Sequence, residues 1–277
     1  MEYLLILLAP IFGGLIYGIE RVLRARMQNR IGPPVLQPFY DMYKLMGKEP
    51  FIVNNYHIVF AIMHLLTLWI AVGLVIFGVN LLYVIFIHLL SSIFLVLAGY
   101  SVNSVYSHIG SNRELLSIVA YEPILIFVAV GFYILNSSFD IEIIRSQNSE
   151  VAQLFLLFFA FLLVIPLKLK KSPFDATEAH QEIVGGIEVE FSGVFFEIVY
   201  MAKWIEYVFI YSILLLFAGD SFLYGSLMFI SVFLLVNLVD NATARIKIKN
   251  LLQIVLSIGL ILSIINLILV GLGVLDV

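Results

Sequence analysis

Apolar residues along this chain run in unbroken blocks, each about as long as a helix needs to cross a bilayer, roughly 20 residues. Eight such blocks stand near 2–20, 58–78, 80–98, 116–135, 151–169, 198–218, 221–240 and 251–274. Continuous runs predict helices, since a transmembrane β-barrel would show strands of alternating character. Gly78-Val79-Asn80 and Gly219-Asp220 predict two tight hairpins; the longer connections are 21–57, 99–115, 136–150, 170–197 and 241–250. The first block reads as a span and not as a removable leader. It lacks a basic start, and Glu20-Arg21 follows it without a small-residue cleavage site. No internal repeat of the kind found in many transporters is visible.

Composition sharpens this picture. The 277 residues are 62% hydrophobic and only 12% charged, against roughly 45–50% and about 25% in soluble domains. One membrane domain over 1–277 is expected: an all-α polytopic protein of about eight transmembrane helices, with short amphipathic helices in its long loops. Of the 15 basic residues, fourteen fall in 21–57, 99–115, 168–203 and 241–250, and only Arg145 falls on the other side if the eight helices alternate. That bias places the long loops in the cytoplasm and both termini outside. A net charge of −4 speaks against a nucleic-acid binder. Without cysteine the chain can supply neither disulfides nor thiolate ligands for iron–sulfur clusters. Electrons moving nearby would be carried by partners.

Two cytoplasmic stretches hold most of the candidate chemistry. After Gly32-Pro33-Pro34 stops the first helix, Leu36, Phe39, Tyr43 and Met46 recur at helical spacing opposite Asp41, Lys44 and Lys48. This is a short amphipathic helix suited to the interface, as an anchor or as a working surface. The second stretch, 170–206, carries Asp175, Glu178, Glu182, Glu188, Glu190, Glu197 and Glu206. If helical, Asp175, Glu178 and Glu182 share one face, where like charges repel and some hold protons. Asp175 with Glu178 also resembles a capping box after Pro173-Phe174, and Gly185-Gly186 lets the chain turn back. Lys203 and Glu206, spaced i, i+3, read as a surface ion pair, and Asp240 and Asp220 read as interfacial. Glu122 lies inside an apolar block, where a carboxylate defaults to a functional role. His64 and His88 also lie inside blocks; their depths differ by about 6 Å at helical rise, and they read as hydrogen-bonded interior histidines rather than haem ligands.

These motifs resemble those of the eight-helix heel (quinone-chamber) subunit of respiratory complex I and its homologues in energy-converting membrane-bound hydrogenases. The matching words are Glu20-Arg21; Arg30-Ile31-Gly32-Pro33-Pro34 with Leu36-Gln37-Pro38-Phe39, Asp41, Lys44-Leu45 and Lys48-Glu49; Tyr106-Ser107 with Gly110 and Arg113; and Tyr121-Glu122. Ser172-Pro173-Phe174-Asp175, Glu178, Glu182-Ile183-Val184, Gly186, Glu190-Phe191-Ser192-Gly193 and Arg245 with Lys247 complete them. The resemblance spans nearly the whole chain. A shortened loop after the two prolines and His180 in place of an acid resemble the nickel–iron hydrogenase and formate hydrogenlyase branch, while Lys203 in place of an acid and Lys249 near a usual Asp depart from a standard quinone site.

The resemblance implies a non-catalytic membrane subunit of an oxidoreductase complex in a prokaryotic plasma membrane. It would bind no cofactor itself, while partner subunits hold iron–sulfur clusters and, in that branch, a nickel–iron centre. It would dock peripheral iron–sulfur and hydrogenase-large-like subunits and contact antiporter-like membrane subunits. Glu122, Asp175, Glu178, Glu182 and Glu190, with His180, would form the route coupling redox change to proton or sodium pumping. Arg30, Lys44, Arg113 and Arg245 would be countercharges or docking residues. A quinone-site subunit of an NADH:quinone-type enzyme and a stand-alone ion-coupled transporter remain as alternatives.

Overall fold

The structure is a computed structural model that describes residues 2–275, apart from the side chain of His180. Seven helices among the described residues are long and apolar enough to cross a membrane. They are α1 (Glu2–Met27), α3 (Asn55–Ile76), α4 (Leu81–Tyr100), α5 (Val105–Asn136), α9 (Gly193–Leu216), α10 (Phe222–Ala242) and α11 (Ile248–Gly271). An eighth apolar helix, α7 (Phe155–Lys168), is shorter. The remaining pieces are α2 (Gln37–Met46), α6 (Ile141–Ser146), α8 (His180–Ile183) and a 3₁₀ turn, Gly186–Glu190. The expected all-α bundle forms, with seven long apolar helices and one shorter one among the described residues.

The expected block 151–169 is only partly helical. Fourteen residues in α7 rise about 21 Å, short of the roughly 30 Å hydrocarbon layer. The start of α7 is tied to a neighbouring helix. Asn266 of α11, fully buried, accepts from the Leu157 amide at 3.0 Å and donates to the Gln153 carbonyl at 2.9 Å. In apolar surroundings such backbone groups must be satisfied inside the protein, and a single amide side chain does so here.

One end of the bundle collects the two predicted hairpins. Asn80 pairs with Asp140 in an antiparallel bridge, and the Asp220 amide donates to Gln147 at 2.9 Å. Arg145, the lone basic residue expected on this side, donates to the Val75 carbonyl at the end of α3 at 2.8 Å. The basic residues expected on the cytoplasmic side lie at the opposite end, among them Arg24, Lys170, Lys203 and Arg245.

Around a large apolar core the burial pattern departs from that of a soluble protein in two ways. Phe222, Leu238, Ile70 and Ile268 are among many apolar side chains on the outside, whereas Glu20, His88, Glu122, Lys168 and Lys171 are buried. The outward apolar surface suits lipid. The inward charges need another reason.

Candidate functional site: a buried chain of ion pairs

Helix α4 turns Leu81, Val84, Ile85, His88, Ser91, Ser92, Leu95 and Gly99 inward, spacings of three and four that define one face. On α5 the inward stripe is Ser107, Gly110, Ser111, Glu114, Ser117, Tyr121, Glu122 and Leu125. This corrects the expectation of a loop over 99–115: the helix begins at Val105 because its small and polar residues are packed inside the bundle rather than solvated. Ser107 and Ser111 bond carbonyls at 3.0 and 2.9 Å. Gly110 then allows the close approach of the segment after α8. Gly186 has φ +62°, and a Cβ on Gly110 would lie 2.7 Å from the Gly186 Cα.

At the inner end of the site, His88 stands between two carboxylates. Its Nε2 is 3.0 Å from Glu206 and its Nδ1 3.6 Å from Glu122. The ring stacks on Phe209 with centroids 4.1 Å apart. Glu206 also pairs with Lys168 at 3.2 Å. Lys168 in turn donates to Ser92 and to Tyr121, both at 3.2 Å, and lies over the Tyr121 ring. His64 bonds the carbonyl and hydroxyl of Ser91 at 2.9 and 2.8 Å. The charge of Lys168, at the end of an apolar helix, is therefore fully engaged inside the bundle.

Toward the cytoplasm the alternation continues. Lys170 reaches Glu114 at 3.5 Å and Glu178 at 3.0 Å, and Lys203 reaches Glu178 at 3.0 Å and Glu188 at 2.7 Å. Burial alone would raise Glu178, but Lys170 and Lys203 on either side take it below the ordinary carboxylate range. Burial and the adjacent Glu178 instead raise Glu188. Burial would lower Lys170, but Glu114 and Glu178 outweigh it and raise it. Of the two carboxylates, Glu188 is the one that holds a proton more readily.

A third group joins α1, α9 and α10. Glu20 receives hydrogen bonds from Lys171 and Tyr207 and pairs with Arg24 at 3.0 Å. Arg24 also reaches Asp240 at 2.6 Å, and Asp240 accepts from the Ser172 amide at 2.9 Å. Burial lowers Lys171 against the opposing pull of Glu20. A cavity of about 280 Å³ lies among the three groups, and eleven of its nineteen lining residues are Lys, Arg, Asp or Glu.

The sequence-predicted residues divide by position. Glu122 and Glu178 lie within this chain of pairs. Asp175 borders the cavity and is held by Arg245 through two bonds of 2.8 and 2.6 Å. Glu182, more than half exposed, pairs with Arg113 at 2.7 Å on the surface, and Arg113 also donates to the Ala176 carbonyl at 2.9 Å. Glu190 ends the 3₁₀ turn beside the His57–Phe191 stack. His180 opens α8, but its side chain lies outside the described structure. Arg30 and Lys44 are exposed on the cytoplasmic end and are not brought to the buried groups.

Several expectations about these residues are corrected. Residues 175–182 do not form one helix: only His180–Ile183 is helical, so Asp175, Glu178 and Glu182 share no face. Asp175 caps no helix, because the Arg245 guanidinium takes both its oxygens. Repulsion among these acids is replaced by pairing with cations from distant segments. Lys203 and Glu206 do not pair with each other, since each finds a buried partner on another segment, and Asp240 is a partner of Arg24 rather than an interfacial acid. Sequence reasoning missed Glu20, Glu114, Lys168, Lys170 and Lys171 as members of the site. In the sequence, Lys168 and Lys170 read only as marks of orientation.

The NADH dehydrogenase family model matches residues 1–271. The chain is 30% identical over 254 residues to the H subunit of the NADH-quinone oxidoreductase of Brevibacillus brevis, covering 81% of this chain and 75% of that protein. It is 34% identical over 225 residues to NADH-ubiquinone oxidoreductase chain 1 of Patiria pectinifera, covering 73% and 69%. Its fold matches a chain in the structure of the membrane-bound sulfane sulfur reductase, an archaeal respiratory membrane complex. The TM-score is 0.86 at 22% identity, over 97% of this chain and 98% of that one. The spans and these relatives make it a multi-pass protein of the prokaryotic plasma membrane. The chain therefore belongs to the NADH dehydrogenase family, which includes these membrane subunits of the NADH-quinone and NADH-ubiquinone oxidoreductases.

Proposed function

We propose that this chain is the membrane anchor and ion-translocation coupling subunit of a complex-I-related oxidoreductase, in the membrane-bound hydrogenase branch. It does no redox chemistry itself. Iron–sulfur clusters and a nickel–iron centre belong to peripheral subunits docked on its cytoplasmic end, and antiporter-like subunits take up the coupled motion of protons or sodium ions. The observation that carries this reading is the chain of buried pairs from Glu188, Glu178 and Lys203 at the cytoplasmic end, through the cavity, to Glu206, His88 and Glu122 within the bundle.

Such a chain couples by electrostatics. Each carboxylate's affinity for a proton depends on its neighbours, so a charge change at one end shifts the others across a low-dielectric path. At the mouth, a docked redox subunit acts on Glu188, the acid that burial and Glu178 already raise. Arg30 and Lys44 supply exposed positive charge for docking, and the Arg113–Glu182 and Arg245–Asp175 pairs hold the surface segments in place.

Docking also suits α2. Tyr43, Met46 and Leu36 are exposed, and the stretch after the helix adds exposed Phe51, Ile52 and Val53. A quinone head group in the cavity, in keeping with the names of the relatives, is the second reading; a lining dominated by charges favours water and protons instead. Purifying the assembly through a tag on this chain tests the proposal. Co-purification of a nickel-containing large subunit that evolves hydrogen supports it. Quinone reduction by the assembly supports the second reading. A monomer that transports ions alone refutes both.

A further inference from the structure

Glu122 and His88 carry a feature the coupling reading does not by itself require. Among the described residues, neither oxygen of the buried Glu122 makes a hydrogen bond, nor does the facing His88 Nδ1, and the two lie 3.6 Å apart. That gap is longer than a hydrogen bond, yet no other described polar group bonds either one. The other ring nitrogen is engaged, at 3.0 Å from Glu206 Oε1. The same Glu206 oxygen lies 3.2 Å from Lys168. The groups facing the ring are thus Glu122 and Tyr121 from α5, and Glu206 and Phe209 from α9, with Lys168 of α7 one step behind.

We propose that His88 is the switching residue of the chain: it takes a proton from Glu122 at Nδ1 and, as an imidazolium, competes with Lys168 for Glu206. The proposal rests on the coupling function above. The step balances simply. The O–H bond of the Glu122 carboxylic acid breaks, an N–H bond forms at Nδ1, and no electrons are exchanged. Before transfer a neutral ring with its proton on Nε2 donates to Glu206, and Lys168 carries the cationic half of the Glu206 pair. After transfer a cationic ring stands between two carboxylates, and Glu206 has two cations for one negative charge. Lys168 is then held less tightly by Glu206 and more by Ser92 and Tyr121, which it already contacts. The Lys168 ammonium borders the cavity with Lys170, Lys203 and Glu178. Charge alone is passed on, so no proton has to cross from Glu206 to the mouth. The parallel stack on Phe209 keeps the ring in the plane that faces both carboxylates, so the switch needs the Glu122 carboxyl to close the 3.6 Å gap to hydrogen-bond distance and no rotation of the ring.

The test uses the whole complex in proteoliposomes, reading ions translocated per electron transferred and, separately, the redox-induced infrared difference spectrum. His88→Gln keeps a donor toward Glu206 but cannot take a proton; His88→Asn is the smaller second variant. The expected result is electron transfer within about twofold of the wild type and a more than tenfold fall in ions per electron. Wild-type complex with ring-labelled histidine should show a redox-linked imidazolium band, lost in Glu122→Gln. Wild-type coupling in His88→Gln or His88→Asn overturns the switch. Should neither variant assemble, absence of the imidazolium band in wild-type complex overturns it, and its presence with loss in Glu122→Gln supports it. If Glu122→Gln uncouples while His88→Gln does not, only the switch fails. If Glu122→Gln also couples normally, the coupling function itself fails.

Discussion

At the level of single residues, two groups outside the spans give direct expectations. Glu150 is buried at the end opposite the cavity, with one oxygen accepting from Asn136 at 2.7 Å and the other unpartnered among the described residues. Burial pushes its carboxyl from 4.5 up to about 7, against the Asn136 bond. A folded-state value above the unfolded one means that the folded protein binds the proton more tightly. Stability contributed by this site is therefore full below about pH 4.5 and is lost as pH rises through 7. Glu150→Gln should remove that step, so that melting temperature in detergent becomes flatter between pH 5 and 8. An unchanged pH slope would show that Glu150 does not titrate there.

The Asp175–Arg245 pair is a two-pronged contact between charged groups on the cytoplasmic surface. The Asp175 hydrogen bonds raise Arg245, whose charge is thus secure. Because both side chains are about a quarter exposed, Arg245→Ala should cost only about 1–2 kcal/mol of stability. It should also leave residues 172–178 more accessible to protease, measurable by limited digestion of the membrane-embedded complex. Glu122 was legible as a lone acid within an apolar block. The partners of Glu178 were not, because Lys170 and Lys203 lie eight and twenty-five residues away and only the fold brings them together.

At the level of elements, the spans and hairpins follow from block length and turn residues, and the cytoplasmic face follows from the basic residues. Local spacing failed where tertiary ion pairs took over. Spacings of three and four suggested a helix through Asp175, Glu178 and Glu182, but only His180–Ile183 is helical, and the acids turn to three different sets of cations. The start of α5 failed for a related reason: Ser107, Ser111 and Glu114 read as a polar loop until their burial inside the bundle is known. The short α7 depends on one remote side chain. Asn266→Leu would leave the Leu157 amide and the Gln153 carbonyl unsatisfied in an apolar layer, at about 1–3 kcal/mol per group. A loss of about 2–4 kcal/mol is expected in reversible unfolding from mixed micelles. A loss below 1 kcal/mol would mean that water or lipid head groups reach that end of α7.

At the level of the whole molecule, part of the scarce charge is buried, Glu20, Glu114, Glu122, Lys168 and Lys171 among it. A family resemblance read from motifs located the cytoplasmic end of the site, and the structure extends it inward to His88, Glu206 and Lys168, which no motif marked. The acids also separate by role. Glu178 and Glu122 belong to the buried chain, whereas Glu182 is a surface partner of Arg113. Glu182→Gln should accordingly lower the retention of peripheral subunits through washing at high salt, with little change in ions moved per electron in complexes that remain intact. We propose that charge travels along the buried pairs to Glu122. The most direct test is the number of ions translocated per electron by the Glu122→Gln complex in sealed vesicles. Assembly and electron transfer should be retained with ion translocation reduced at least tenfold; translocation at the wild-type ratio would show that charge does not travel by Glu122.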